Sequence, residues 1–195
     1  MTEAYGQRLA KALRVENAPA IVTRSLRTAD IAVTEIRRDG PLPETNGEMS
    51  GSIRQEDAFL VALQLSDFPI HEYREDGRQA PVCDLRAGES CLYDLKRDPT
   101  VLLDKPYHSL HFYLPRAPLD AIADESDAPR IRDLSYEPGA GVNDVTISGL
   151  GSSLLPALSH PDQANPSQCA RHSERRVTGY TKRTRRAAAL MILLR

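Results

Sequence analysis

APVCDLRAGESCLYDLKRDPTVLLDKPYHSLHFYLP, residues Ala80–Pro115, decides how this chain folds. Val82–Leu85 and Cys91–Leu95 flank Arg86-Ala87-Gly88-Glu89, a short polar connection with a glycine, which reads as a β-hairpin. Asp98-Pro99 then breaks the chain, and Thr100–Leu103 resumes an apolar run. Asp104-Lys105-Pro106 turns it again before Tyr107–Leu114, the most strand-like run in the sequence. Strands this short cannot bury a face alone, so they imply a sandwich or barrel closed by other strands.

Those other strands lie upstream. Ala20–Thr23 and Ile31–Ile36 are rich in β-branched residues, and Phe59–Leu65 (FLVALQL) is apolar almost throughout, as in a strand buried on both faces. Ile70–Arg74 follows, and Asp76-Gly77 turns the chain into Gln79–Leu85. Between these blocks, Asp39–Gly51 reads as a loop. Thr2 caps a first helix carrying Ala4, Leu9, Ala12 and Leu13, expected on the surface and packed on the body. Downstream, Leu119–Glu125 is helical, and Asn143 or Asp144 caps a helix toward Leu158. Its stripe of Ile147, Leu150, Leu154, Leu155 and Leu158 suits core or a subunit interface, although Gly149, Gly151 and Pro156 weaken the helix. The expected fold class is mainly β with C-terminal helices: a β-barrel or sandwich plus two or three packed helices.

With 195 residues the chain is long enough for one good core, and 41% hydrophobic and 27% charged residues place it among soluble globular proteins. The net charge of −2 hides an uneven distribution. Residues 167–195 carry Arg171, Arg175, Arg176, Lys182, Arg183, Arg185, Arg186 and Arg195 against the single acid Glu174. The body before them is acidic and by itself a poor binder of polyanions. Cys83, Cys91 and Cys169 make no disulfide framework, and the charged N-terminus contains no apolar signal core. Ala187–Leu194 is far shorter than the ~20 residues of a membrane span. A cytoplasmic protein without a membrane partner is expected.

Alternation along Tyr107–Leu114 puts Tyr107, Ser109, His111 and Tyr113 on one face, and His108, Leu110, Phe112 and Leu114 on the other. His71 and Tyr73 point together on their own strand. His71, Tyr73, His111 and Tyr113 are therefore the candidate ligand-binding residues, able to meet a small polar effector with hydrogen bonds and ring faces. The same residues also suit a half-buried barrel wall with no ligand. A metal site is not expected. In His71-Glu72-Tyr73 a tyrosine stands where a second ligating histidine would fall, although His71, Glu75 and His108 or His111 could still assemble. Cys83 and Cys91 lack a C-x-x-C spacing and read as small buried hydrophobes. Gly139-Ala140-Gly141 and Gly149-Leu150-Gly151 lack the rest of a dinucleotide loop, and no G-x-S-x-G elbow occurs. No catalytic residue and no cofactor are expected.

Gly88-Glu89, Leu92-Tyr93-Asp94-Leu95 and then the run Pro106-Tyr107-His108-Ser109-Leu110-His111-Phe112-Tyr113-Leu114-Pro115-Arg116-Ala117-Pro118-Leu119-Asp120 carry a resemblance. The sequence resembles the N-terminal, cupin-like regulatory domain of AraC/XylS-type bacterial transcription regulators, from about Ala20 to Asn165. The resemblance implies a jelly-roll type barrel, 20–115, followed by helices over 116–166. Residues 1–19 would form an N-terminal helix or arm, and 167–195 a basic tail foreign to the family. It further implies a non-enzymatic domain that binds a small-molecule effector and forms a homodimer through its C-terminal helices. The family's metal-ligand positions are commonly lost, in line with Tyr73. Members continue into a helix–turn–helix DNA-binding domain, which the residues after Pro166 do not resemble, so DNA binding by this chain is not expected. The Arg- and Ala-rich tail fits a GC-rich gene read out of frame, giving a truncated regulator. The alternative is a small metal-dependent cupin enzyme, an oxygenase or isomerase.

Overall fold

The computed structural model describes residues 5–16, 18–25, 29–40, 48–53, 55–125, 127, 130 and 136–159. Thr2, Ala4 and the basic tail lie outside them. Strands β1 (Ala20–Ser25), β2 (Ala29–Arg38), β3 (Ala58–Gln64), β8 (Glu89–Asp94), β10 (Tyr107–Pro115) and β11 (Val142–Asn143) make one antiparallel sheet in the order β1-β2-β10-β3-β8-β11. Two smaller sheets face it across a shared core. One pairs β4 (Phe68–His71) with β7 (Cys83–Leu85); the other sets β5 (Tyr73–Glu75) between β6 (Arg78–Gln79) and β9 (Thr100–Val101). The result is the mainly β sandwich with packed helices that the sequence implied.

β10 lies in the middle of the large sheet, bonded to β2 on one side and β3 on the other. Its alternation is as read. Tyr107 and Tyr113 join the interior with Ala32, Ile36, Leu60 and Ala62, while Leu110, Phe112 and Leu114 join the outer layer with Val33, Phe59, Val61 and Leu63. Every residue of β3 is buried, as expected for a strand covered on both faces.

The outer layer is closed by helices α2 (Arg116–Glu125) and α3 (Val145–Leu158). Asp144 caps α3, its carboxylate accepting from the Thr146 and Ile147 amides at 2.8 and 3.1 Å. Ile147, Leu154 and Leu158 are buried against the sheet, so the apolar stripe packs within the chain itself. α3 comes so close that a Cβ on Gly151 would overlap Leu63 Cδ2.

Three local readings need correction. The first helix, α1 (Tyr5–Ala12), packs on the body with Gln7 and Lys11 exposed, but deeper than a helix resting on the surface: Leu9 is fully buried and Leu13 nearly so, both within the inner core. The interior wall there is built from small side chains such as Ala32 and Thr34, and the helix fills the space they leave. Arg14 closes α1 at φ 55°, with Arg14 N–H to the Lys11 carbonyl at 3.2 Å and Val15 N–H to the Ala10 carbonyl at 2.8 Å, a Schellman ending.

Secondly, Arg86–Glu89 does not join a hairpin. β7 pairs with β4 and β8 pairs with β3, so this connection crosses between layers. It is tied down by Ala87 N–H to the Asp67 carboxylate (2.9 Å) and Gly88 N–H to the Gln64 carbonyl (2.8 Å). Thirdly, the runs Ile70–Arg74 and Gln79–Leu85 are each interrupted. Ile70 sits at φ 53° within an irregular β4–β7 register, so His71 and Tyr73 end in different sheets. The Asp76-Gly77 turn is as expected, with φ of 51° and 71° joining β5 to β6.

Candidate ligand site inside the barrel

Two adjoining cavities of about 40 Å³ each lie in the inner core. His111, Tyr93, Val101 and Leu13 line both. His71, Gln64 and Ser109 belong to the first, and Tyr73, Ser50 and Thr100 to the second. α1 contributes Leu13 to both and Leu9 to the second, so the helix forms part of their wall.

His111 is placed by register. It stands opposite Thr34 on β2 and Ala62 on β3, two small neighbours that leave its ring room at the centre of the sheet. Its Nε2 lies 2.9 Å from Ser109 Oγ, the next inward residue on the strand. His71 reaches the same cavity from the opposing sheet, and Tyr93 Oη approaches its Nε2 at 3.4 Å. Both histidines are buried, 1% and 7% exposed, and in both the Nδ1 has no partner among the described residues. Burial holds His71 at about 4, with the Lys105 charge adding to the effect, and burial alone holds His111 at about 4. Both rings are neutral at physiological pH.

The other two candidates divide. Tyr73 stacks beside His71 with centroids 6.0 Å apart, and its ring faces the second cavity. Its hydroxyl donates elsewhere, to Glu75 Oε1 at 3.1 Å. Glu75 also accepts from the Tyr136 hydroxyl and, at 3.2 Å, from Arg97. Tyr113 lines neither cavity; its ring stacks on Tyr5 of α1 at 3.7 Å. The structure therefore brings His71, Tyr73 and His111 together and gives Tyr113 to the helix.

Tyr93, Gln64 and Phe68 also line the first cavity and went unread. Signals existed for the first two. Tyr93 shares a face with Cys91 on a strand whose Leu92 faces outward, and Gln64 closes an otherwise apolar strand on the inward side. Cys91 is buried as expected, its thiol pushed up to about 12 by burial; Cys83 is half-buried and donates to the Gly139 carbonyl at 2.8 Å. His108 lies on the outer face, 2.8 Å from Glu35 Oε1. Among the described residues no three His, Cys, Asp or Glu side chains gather as a metal site, and no helix is long and apolar enough to cross a membrane.

No protein-family model matches the chain, and no curated protein sequence matches it either. Solved structures do. A cupin 2 conserved barrel domain protein from Salinispora arenicola CNS-205 is 14% identical over 64% of this chain and 98% of its own, with a TM-score of 0.34. The AraC-like transcriptional activator CuxR is 11% identical over 95% of this chain and 64% of its own, with a TM-score of 0.38. A mutant of Bacillus subtilis oxalate decarboxylase is 12% identical over 62% of this chain and 36% of its own, with a TM-score of 0.34. The expectation of a non-enzymatic chain is corrected here. An oxalate decarboxylase stands among these neighbours, and function resides in a site rather than in a fold, so the fold gives no ground for ruling out catalysis.

Proposed function

We propose that this chain is the ligand-sensing regulatory part of an AraC-type transcription regulator, binding a small-molecule effector inside the barrel through His71, Tyr73 and His111. One observation carries the reading: two buried, neutral imidazoles line one cavity, each with an unpartnered Nδ1. Each buried nitrogen without a partner costs about 1–3 kcal/mol, a cost that an effector able to turn either ring toward it would relieve. The run Pro106–Asp120, which resembles the family, supplies His111 and begins the helix that follows it. Binding then shifts the arrangement of barrel and helices in proportion to the effector's differential affinity for the two states.

The test is a thermal-shift screen of the full chain against sugars, aromatic acids and other small metabolites. A stabilising compound whose effect disappears in a folded His111→Ala variant supports the site; an effect indifferent to that substitution removes His111 from it. The homodimer through the C-terminal helices belongs to the same proposal. Sedimentation with and without the hit reads it, and a monomer under both conditions overturns it.

A further inference from the structure

Two free thiols converge on one oxygen at the edge of the inner core. Cys83 Sγ lies 2.8 Å and Cys91 Sγ 3.9 Å from the Gly139 carbonyl oxygen, so the sulfurs are separated by no more than the sum of the two. The strands that carry them belong to different sheets, β7 to the β4–β7 pair and β8 to the large sheet. Facing sheets stand about 10 Å apart, beyond the ~7 Å between Cα atoms that a disulfide bridges without backbone movement. Two cysteine side chains reach into such a gap without closing it.

What fits between them follows from the ligands and the charge. A metal–sulfur bond is about 2.3 Å long, so one cation in line between two thiolates spans sulfurs roughly 4–5 Å apart, within the limit set by Gly139. Thiolate sulfur selects soft cations. Zinc would need four ligands, and among the described residues no third His, Cys, Asp or Glu side chain joins the pair. Burial, and then the carboxylates of Asp84, Glu89 and Glu137, hold the Cys83 thiol above its ordinary range, and burial holds Cys91 at about 12. Both thiols therefore keep their protons at neutral pH, which makes them poor nucleophiles toward oxidants. The same negative surroundings attract a cation and disfavour a complex with a net negative charge. Two thiolates on a monovalent ion carry one such charge; on a divalent ion they carry none.

We propose that Cys83 and Cys91 form a two-thiolate site for a soft divalent d10 cation that accepts two ligands, mercury(II) being the type, with the Gly139 carbonyl as a weak third contact. Binding exchanges two S–H bonds for two metal–sulfur bonds and releases both protons to solvent, with no change of oxidation state. Gly139 precedes β11 and α3 in the chain, so the bound ion ties the approach to that helix to the barrel. Neither cysteine lines the histidine cavities, and the site stands independently of the sensing role.

The test uses the full chain with Cys169→Ser, which removes the tail thiol, and mercury(II) chloride as the probe. Native mass spectrometry is expected to show one mercury per monomer with two protons lost, and X-ray absorption at the mercury edge to show two sulfur neighbours. Against competing glutathione, Cys83→Ser and Cys91→Ser should each weaken retention at least a hundredfold, and a hundredfold excess of zinc should displace none of the mercury. A single sulfur neighbour, mercury bridging two chains, or a Cys91→Ser chain that holds mercury as well as its parent reduces the site to the half-buried Cys83 and overturns the proposal. So does a Cys83–Cys91 disulfide formed on treatment with diamide, since sulfurs that close on each other leave no space for an ion. The sulfur count needs no core substitution, so it decides the matter even where Cys91→Ser does not fold.

Discussion

Tyr107 Oη donates to the Leu13 carbonyl at 2.7 Å, joining the central strand to the end of the first helix across most of the barrel sequence. The bond is buried, and it is one of several ties on α1: Gly51 N–H reaches the Ala12 carbonyl at 2.8 Å, and Tyr5 stacks on Tyr113. A helix of eight residues is not stable alone in water, so these ties and the burial of Leu9 and Leu13 hold it. Tyr107→Phe should leave the Leu13 carbonyl without its donor and lower unfolding stability by about 1–3 kcal/mol in urea. Amide exchange should quicken first in α1. Unchanged exchange there would show that the bond does not secure the helix.

Acid should weaken the fold through the cavity histidines. Both sit at about 4 when folded against about 6.5 when unfolded, so the unfolded chain takes up protons first as pH falls. Their contribution is whole above pH 6.5 and is lost progressively down to about pH 4. A shift of this size corresponds to roughly 3 kcal/mol for each ring. Urea midpoints at pH 7.0, 5.5 and 4.5 should fall more steeply for the native chain than for His71→Gln/His111→Gln. Parallel slopes would contradict neutral burial of the two rings.

Two glycines on α3 should respond in opposite directions. Helix propensity alone favours alanine over glycine by about 1 kcal/mol. At Gly149 a Cβ meets nothing within 4 Å, so Gly149→Ala should stabilise by up to that amount. At Gly151 the Cβ overlaps Leu63, which is 2% exposed and cannot swing into solvent. Overpacking of a closed core costs about 1–3 kcal/mol, which outweighs the propensity gain, so Gly151→Ala should destabilise. Thermal melts of the two variants decide it; a stabilised Gly151→Ala would mean that α3 rides more loosely on the sheet.

Asp144→Ala removes the acceptor for two amides at the start of α3 and should cost about 1 kcal/mol. Asp144→Asn, which keeps an acceptor oxygen, should recover most of it. Equal losses in both would assign the effect to charge rather than to capping.

The parts legible in the sequence were those set by local chemistry. Period-two alternation sorted Tyr107–Leu114 into its two faces, the all-apolar run marked β3, Asp76-Gly77 marked its turn, and Asp144 was one of two caps named. What failed depended on partners distant in the chain. Arg86–Glu89 looks like a hairpin until Asp67 and Gln64 take its amides. The depth at which α1 packs was not legible because the gap that takes Leu9 and Leu13 is made by Ala32 and Thr34, on a distant strand. Within the site, the inward set of β10 was readable from alternation. The grouping of His71 with His111 was read as well, and both line the first cavity; Tyr113 was misplaced because Tyr5, far off in the chain, takes its ring.

β10 is a partition one residue thick. On one side it presents His111 to the cavity; on the other, the adjacent Leu110 and Phe112 lie in the layer that carries Ile147, Leu154 and Leu158 of α3. Neighbouring residues of a strand share their peptide planes, so a backbone displacement at His111 is handed to Leu110 and Phe112 without any intermediary. The close-packed layer beyond them responds by repacking rather than by yielding continuously. A molecule held inside the barrel, as proposed above, would thus be felt at the seating of the outer helices through the position of a single strand.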